Sequence, residues 1–400
     1  GSCMVDLMNV IGYDICTFGN HEFDFGMERI LELSKQRSKA VYVSCNFVEK
    51  QTGTAVAKPY EIIDYDGISV AYVGVSTPQT LTSSQPSAFR DADGTYLYGF
   101  CQGEDGARFY AAVQSAVDRA RQEGADYVIA IAHLGIDESA KPYRSTDLIG
   151  NTAGIDAVLD GHSHSVIEGD WIKNKEGKQV LLSSAGSRLS KIGCLFIDTN
   201  GTAALFDDAV ETVLLSKEAG QKMEQEVSQA LSAYEASLKK VVAHSKTALP
   251  VNSQNGNRMV RNQETAIGNF CADACRMASG ADIAVVNGGG IRAGLPAGEI
   301  TYGDFLDVFP YGNMLSVVKA SGQELLDMLE MAYKDVQAQT KNASGAAGEF
   351  GGFLHISGLR VVIDQTIPSS VEIDENGMFV SVSGRRRVKK AEIFRRETGT

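Results

Sequence analysis

The chain has 400 residues, of which 44% are apolar and 22% charged, and its formal net charge is −13. That length exceeds the usual size of one domain, so we expect two domains. The acidic balance argues against binding to duplex nucleic acid, which usually needs a basic face, but it leaves room for a small anionic substrate. No apolar run approaches the length of a membrane span. Most of the seven cysteines are widely spaced and their number is odd, unlike those of a small disulfide-stabilised domain.

The first half of the sequence alternates apolar runs with turns. Runs rich in β-branched residues at 66–78 and 125–135 predict strands, and a helical pattern at 104–124 lies between them. Residues 154–165 indicate a short strand that enters a polar turn. Because helices and strands alternate, this half is predicted to be α/β.

A long amphipathic helix is predicted from Ser216 to about Val242. Apolar residues recur there at spacings of three and four, and the segment contains no proline. Such a helix suggests a connector between domains. We therefore expect a first domain at 1–213, a linker helix at 214–243 and a second domain at 244–400.

The second half also mixes helices and strands. Helices are predicted at 264–279 and 322–336, and strands at 281–287 and 355–364. A basic run, "GRRRVKK" at 384–390, is interpreted as a solvated edge in preference to an anion site, because the chain is acidic overall.

Four of the six histidines lie in glycine-flanked turns that follow apparent strands: His21, His133, His162 and His164. A single histidine of this kind is more often structural, but four with the same placement predict a site in the crevice at the strand ends. The motifs contain no thiolate, so their nitrogen and oxygen donors suit zinc, manganese, iron or cobalt. Asp24 follows His21 by one turn and can orient its ring for proton transfer.

The motifs "GNHEFD", "AHLG" and "DGHSHS" resemble the signature of the calcineurin-like metallophosphoesterases. Together with the downstream "NGGGIR", the chain is similar to the 5′-nucleotidase/UDP-sugar hydrolase family. The resemblance implies a metallophosphatase-type β-sandwich flanked by helices, a long linker helix and a second α/β substrate-binding domain. It also implies hydrolysis of nucleotide phosphate esters by metal-activated water, with two divalent ions in the family.

The resemblance assigns roles to the first-half residues one by one. It makes Asn20, His133 and His162 ligands of one metal ion and His164 a ligand of the other. His21 and Asp24 become a dyad beside the leaving group. Glu22 receives no role.

In the second half, "VVNGGGIRAG" places three glycines after a strand, where backbone amides can approach a ligand closely. Arg292 can make a bidentate contact to phosphate or carboxylate. The resemblance adds Tyr311 as the aromatic that stacks on a nucleobase, and Arg261, Asn287 and Gly289 as further substrate contacts. The alternatives are a tight turn at a strand end and, for Tyr311, a core aromatic.

The chain also departs from the family pattern. No Asp-x-His or Gly-Asp motif precedes Gly19, and no "GGDGY"-like loop follows the last predicted strands, so we expect a chain truncated at both ends. With the motifs that are present, the chain is expected to bind at most one metal ion tightly. A 2′,3′-cyclic-nucleotide 2′-phosphodiesterase/3′-nucleotidase and a non-catalytic nucleotide-binding homologue remain alternatives. The resemblance further implies a nucleotide partner and a location outside the cytoplasm, in the periplasm, at the cell surface or secreted.

Overall fold

A computed structural model describes residues 2–189, 191–197, 203–206, 217–311, 313–336 and 348–394. The chain divides into two compact units, one formed by 1–230 with 375–377 and the other by 231–374 with 378–400. The division falls within the helix Lys217–Leu238. The predicted boundary at 213/214 lies outside the described residues, so the exact domain limits stay a prediction.

The connector helix runs from Lys217 to Leu238, and its predicted start at Ser216 again lies outside the described part. Its predicted end at Val242 is wrong. Val241 begins a strand, Val241–Ser245, which pairs antiparallel with Gly298–Thr301. Two adjacent β-branched valines favour a strand when a partner is present, and this pairing outweighs the helical spacing of Val241.

Unit 1 is built around a six-stranded sheet with the strand order β4-β5-β7-β8-β10-β9. Strands β5, β7, β8 and β10 are parallel to their neighbours in that order, and β4 and β9 add antiparallel edges. A separate parallel pair, β1 with β2, contacts β5 and β7. The strands of this unit are Ile15–Thr17 (β1), Val41–Val43 (β2), Val48–Glu49 (β3), Tyr60–Tyr65 (β4), Ile68–Ser76 (β5), Tyr98–Gly99 (β6), Tyr127–His133 (β7), Ala157–Leu159 (β8), Val166–Lys173 (β9), Gln179–Ala185 (β10), Cys194–Ile197 (β11) and Ala203–Phe206 (β12).

Helices cover the sheet in unit 1. The largest, Ala107–Gln122 (α4), buries Phe109, Val113 and Val117 against the strands, as its apolar spacing predicts. Strands β5 and β7 are nearly continuous apolar runs because they are buried in the middle of the sheet. The other α-helices of the unit are Ser2–Ile11 (α1), Met27–Glu32 (α2), Thr80–Ser83 (α3) and Ser145–Asn151 (α5).

An aromatic cluster supports the "GNHEFD" turn. Residues Asn20–Phe23 form a single 3₁₀ turn, and the ring of Phe23 is fully buried. It lies edge-on to Phe47, with ring centroids 5.3 Å apart, and 4.9 Å from the Phe89 centroid. Edge-to-face aromatic packing adds stabilisation beyond simple area burial. The turn that presents Asn20 and His21 therefore has a rigid base.

Unit 2 is also mixed α/β, which confirms the predicted class for both halves. Its strands pair in four antiparallel couples: β13 with β15, β14 with β16, β17 with β20 and β18 with β19. The helix Lys217–Leu238 (α6) is shared by the two units. The other elements of unit 2 are Val241–Ser245 (β13), Ala266–Ser279 (α7), Ala284–Asn287 (β14), Gly298–Thr301 (β15), Tyr302–Val308 (α8), Gly322–Ala332 (α9), Leu354–Ser357 (β16), Leu359–Ile363 (β17), Val371–Ile373 (β18), Phe379–Val382 (β19) and Val388–Ile393 (β20).

The basic run at 384–390 is not a uniformly solvated edge. Arg387 is only 4% exposed, and its Nη1 donates to the carbonyls of Tyr333 at 2.5 Å and Lys334 at 2.7 Å, while Nη2 donates to Val336. The buried carboxylate of Glu330 accepts the backbone N–H of Arg387 and of the following residue. The guanidinium thus caps the C-terminal end of α9, a role that a charge count of the sequence does not indicate.

Replacing Arg387 with methionine is expected to destabilise the protein by about 3 kcal/mol, because buried carbonyls lose charged donors. The free energy of unfolding by urea measures this change. Arg385→Met is the matched control, since Arg385 is exposed, and it should stay within about 0.5 kcal/mol of the parent. Equal stability of the two variants would contradict the capping role.

Candidate metal and nucleotide sites

The predicted first-half residues lie at the carboxyl ends of strands in unit 1. His133 is the last residue of β7, His162 follows β8, and Asn20 follows β1. Parallel strands end at the same edge of a sheet, and α/β proteins bind ligands in the crevice there. The placement inferred from the sequence is therefore the placement in the structure.

Three of the predicted metal ligands converge. Asn20 Oδ1 lies 3.0 Å from His133 Nε2 and 3.1 Å from His162 Nδ1, and the two imidazole centroids are 5.1 Å apart. Asn20 is 4% exposed, so these atoms meet in a largely buried place. One amide oxygen and two imidazole nitrogens are donors that suit zinc, manganese or cobalt.

Hydrogen bonds around this cluster test whether it fits a cation. The amide of Gln79 donates to the carbonyl of Ser139 at 2.8 Å, which turns its oxygen towards His162 Nε2, also at 2.8 Å. The network assigns the proton of a neutral His162 to Nε2, because Gln79 Oε1 can only accept. His162 Nδ1 then presents a lone pair to the oxygen of Asn20. Two lone pairs 3.1 Å apart repel each other unless a positive ion lies near both. The nitrogen and oxygen atoms gathered here therefore fit a metal ion.

The protonation state of His133 is consistent with a ligand role. Burial, with smaller contributions from His21 and His164, lowers the pKa of His133 to about 4. The imidazole is therefore neutral at pH 7 and can offer a lone pair.

The turn after β8 has an unusual backbone. His162 has φ 75° and His164 has φ 59°, both in the left-handed region that residues other than glycine seldom adopt. Each costs of order 1–3 kcal/mol, and such outliers cluster at functional sites. Glycine also leaves room nearby: a Cβ on Gly161 would lie 3.3 Å from His133 Nδ1, and one on Gly135, where φ is 74°, would lie 3.1 Å from Ser163.

Asp160 joins the two histidine-bearing turns. Its Oδ1 accepts the backbone N–H groups of Leu134 at 2.9 Å and Gly135 at 3.2 Å. Burial raises the pKa of Asp160, and these hydrogen bonds oppose that rise. The carboxylate fixes the turn after β7 against the turn after β8 and so sets the spacing of the two imidazoles.

His21 and Asp24 form the predicted pair. His21 Nδ1 lies 2.8 Å from Asp24 Oδ2, and Ser84 Oγ donates to the other carboxylate oxygen at 3.0 Å. The Asp24 side chain is 12% exposed and that of His21 is 36% exposed. A buried, anchored carboxylate thus orients a ring that reaches solvent.

His164 lies in the same turn as His162, and its side chain is exposed. Its charge contributes to the lowered pKa of His133. Among the residues that the structure describes, no three His, Cys, Asp or Glu side chains are grouped so as to hold a metal ion. The converging set has two histidines, and its third donor is the Asn20 amide.

The glycine run of unit 2 is shaped by close backbone approach. A Cβ on Gly288 would lie 1.8 Å from the Val260 carbonyl oxygen, and one on Gly289 would lie 2.8 Å from that of Gly351. The Gly351 carbonyl accepts the backbone N–H of Gly289 at 2.8 Å and the amide of Asn287 at 3.3 Å. Only glycine fits these positions, so a tight turn is part of the explanation for the motif.

The predicted substrate contacts of unit 2 lie around this run. Arg292 Nη1 donates to the Gly289 carbonyl at 3.2 Å, and its guanidinium carbon is 5.6 Å from the centroid of the Tyr311 ring. That distance is within the range of a cation–π contact. Asn287, Gly289, Arg292 and Tyr311 are thus brought together.

Hydrogen bonds to the backbone fix the position of Arg261. Its carbonyl accepts the N–H of Phe350 at 3.0 Å, and the preceding carbonyl, of Val260, accepts from His355 Nε2 at 2.9 Å. His355 is 2% exposed, and burial lowers its pKa. A Cβ on Gly288 would lie 3.3 Å from Arg261 Cα, so the backbone of Arg261 lies beside the glycine run.

Sequence reasoning missed the partners that orient these side chains: Gln79, Ser84, Asp160 and His355. Asp160 could have been noticed, because it directly precedes "GHSH" at the end of a strand. The contacts of the other three are long-range, and no local pattern signals them.

Two family models match the chain. Residues 241–395 match the 5′-nucleotidase C-terminal domain, and residues 2–186 match the bacterial capsule synthesis protein PGA_cap. The first match covers the second domain that the sequence predicts, nearly from end to end. In the described part of the chain, no helix is both long and apolar enough to cross a membrane.

Similar proteins extend over both units. The trifunctional nucleotide phosphoesterase YfkN of Bacillus subtilis is 29% identical over 88% of this chain and 25% of its own length. The 5′-nucleotidase of Vibrio cholerae is 28% identical over 86% of this chain and 65% of its own. The chain therefore spans between a quarter and two thirds of these relatives.

A solved structure agrees with the fold. The crystal structure of a 5′-nucleotidase precursor from Thermus thermophilus aligns with a TM-score of 0.72 at 25% identity, over 98% of this chain and 72% of that one. Residues 241–395 are a 5′-nucleotidase C-terminal domain. In sequence and fold, the chain as a whole is similar to the 5′-nucleotidase/UDP-sugar hydrolase family.

Proposed function

We propose that the protein hydrolyses nucleotide phosphate esters in a metal-dependent reaction of the 5′-nucleotidase or nucleotide-sugar hydrolase type. The convergence of Asn20 Oδ1, His133 Nε2 and His162 Nδ1 carries this proposal. The nucleotide phosphoesterase names of the relatives support it.

Asn20, His133 and His162 would hold one divalent ion, whose identity we leave among zinc, manganese, cobalt and iron. When bound, such an ion polarises a phosphoryl oxygen and lowers the pKa of a water molecule. Gln79 holds His162, and burial keeps His133 neutral, so both imidazoles face the site in the form that binds a cation. We propose His164 as a contributor to a second ion, as in the family.

His21 and Asp24 would handle the proton of the leaving group. Asp24 accepts from His21 Nδ1, which leaves Nε2 as the atom that transfers a proton. Ser84 fixes Asp24, so the ring keeps its orientation during the reaction.

Unit 2 would bind the nucleotide. Arg261 and Arg292 suit an anionic substrate, Tyr311 offers a stacking face, and Asn287 with Gly289 lines the same surface. We also propose a location outside the cytoplasm. A cell wall protein of Listeria monocytogenes, 25% identical over 90% of this chain, supports that location.

One observation favours a second candidate, a nucleotide-binding protein without catalysis. Within the described residues there is no three-membered His, Cys, Asp or Glu group for a metal. A protein that had lost hydrolysis would still need the surface of unit 2, but it would have no need for the His21–Asp24 pair.

The test measures metal content and phosphate release with the whole chain. Metal-free protein is loaded with Mn²⁺ or Zn²⁺ and given AMP, a UDP-sugar or 2′,3′-cyclic AMP. Release of phosphate from AMP or UMP from the sugar, abolished by a chelator, supports the proposal. Opening of the cyclic ester alone would favour the cyclic phosphodiesterase, and AMP binding without turnover of any ester would favour the binding protein.

Tyr311→Ala is expected to weaken AMP binding about 5- to 150-fold, because stacking of a base on an aromatic ring contributes roughly 1–3 kcal/mol. Isothermal titration calorimetry measures the dissociation constant. Tyr311→Phe keeps the ring and should bind AMP like the parent. If the alanine variant instead lost thermal stability with unchanged affinity, Tyr311 would be a core aromatic.

A further inference from the structure

The short segment 79–84, which follows β5, contacts the candidate site at three places. Gln79 Oε1 meets His162 Nε2 at 2.8 Å, the carbonyl of Ser83 accepts from the amide of Asn20 at 3.4 Å, and Ser84 Oγ donates to Asp24. The family motifs do not include this segment. Its contacts fall on side chains that we assign to metal binding and to proton transfer.

Both polar atoms of the Gln79 side-chain amide make hydrogen bonds. Its Nε2 donates to the Ser139 carbonyl at 2.8 Å, so its oxygen cannot be exchanged for its nitrogen without placing two donors or two acceptors together. The segment also orients Asn20. Because Asn20 Nδ2 donates to the carbonyl of Ser83, Asn20 Oδ1 must face the imidazoles. Both orientations follow from backbone carbonyls, which can only accept.

The geometry points to Gln79 as a positioning residue that sets the tautomer of His162. By accepting from Nε2–H, Gln79 keeps Nδ1 unprotonated and directed at the ligand oxygen of Asn20, 3.1 Å away. The inference rests on the proposed function, since the lone pair on Nδ1 is useful because a metal ion binds there. An outer partner that fixes the tautomer of a ligating histidine typically raises metal affinity by about 10- to 100-fold.

The alternative tautomer of His162, with its proton on Nδ1, also has a hydrogen-bond partner. Without the Gln79 oxygen, His162 can move its proton to Nδ1 and donate it to Asn20 Oδ1. That exchange makes a good hydrogen bond in the metal-free protein and removes the lone pair from the metal. Loss of Gln79 should therefore lower metal affinity, while the metal-free protein loses only the exposed hydrogen bond from Gln79 to the Ser139 carbonyl.

The test compares Gln79→Leu with Gln79→Glu, because glutamate retains an acceptor and leucine does not. Protein labelled with ¹⁵N-histidine and freed of metal is studied by long-range ¹H–¹⁵N correlation at about pH 8, above the ordinary imidazole pKa of about 6.5. The His162 signals are assigned with His162→Gln. Gln85→Leu, an exposed glutamine in the same part of the chain, is the control.

We expect Nε2–H in the parent, in Gln79→Glu and in the control, and Nδ1–H in Gln79→Leu. Calorimetric titration with Mn²⁺ or Zn²⁺ should show about 10- to 100-fold weaker binding for Gln79→Leu alone. An unchanged tautomer in Gln79→Leu, or equal loss of metal by the leucine and glutamate variants, would overturn the role of Gln79. A parent protein that binds no metal but shows the expected tautomers would instead overturn the proposed function.

Discussion

Asn20→Leu is expected to abolish the thermal stabilisation that Mn²⁺ or Zn²⁺ gives to the parent protein. Asn20 Oδ1 is the atom that both imidazoles approach, and leucine has nearly the same volume but no donor for a cation. A ligand at 100 times its dissociation constant stabilises a protein by about 2.7 kcal/mol, and this gain should disappear. Hydrolysis of AMP should fall by more than the roughly 100-fold that loss of an outer partner costs.

The metal-free Asn20→Leu protein should be about as stable as the parent. Asn20 donates one long hydrogen bond, 3.4 Å to Ser83, and its oxygen receives no hydrogen bond from the unprotonated Nδ1 of His162. The metal-free protein therefore loses at most this long bond and the contact with His133 Nε2. Asn46 is the matched control, since it is fully buried and bonded to Ser76 and Phe100 at 2.7–3.1 Å. Asn46→Leu should cost about 2–4 kcal/mol while keeping the response to metal. A stability loss of that size in metal-free Asn20→Leu would contradict its role as a ligand.

The sequence predicts the strand-end placement of the histidines because two local signals coincide. Glycine-flanked turns follow buried apolar strands, and parallel strands carry their turns to one edge of the sheet. His133 and His162 belong to neighbouring strands, β7 and β8, so their meeting follows from topology. Asn20 comes from β1, outside the six-stranded sheet, and only its motif indicated that it would join them.

What the sequence did not predict depends on pairs of residues far apart along the chain. The Gln79–His162 and Ser84–Asp24 contacts span 83 and 60 residues, so no periodicity or spacing reveals them. Arg387 illustrates the same limit. Its neighbours in the sequence suggest a solvated edge, but its guanidinium is buried against the carbonyls that follow α9. The end of the connector helix at Leu238 likewise depends on the partner strand Gly298–Thr301.

His21→Ala should lower the turnover number for AMP by about 100- to 10,000-fold, the usual contribution of a general acid. Metal content should stay at the parent level, because His21 contacts Asp24 and lies outside the three donors at Asn20. A p-nitrophenyl ester separates the roles: its leaving group needs no proton, so its hydrolysis should fall far less. His244→Ala, an exposed histidine of unit 2, should match the parent with both substrates. Equal losses with both esters, or loss of metal from His21→Ala, would show that His21 holds the metal centre in place and is not the proton donor.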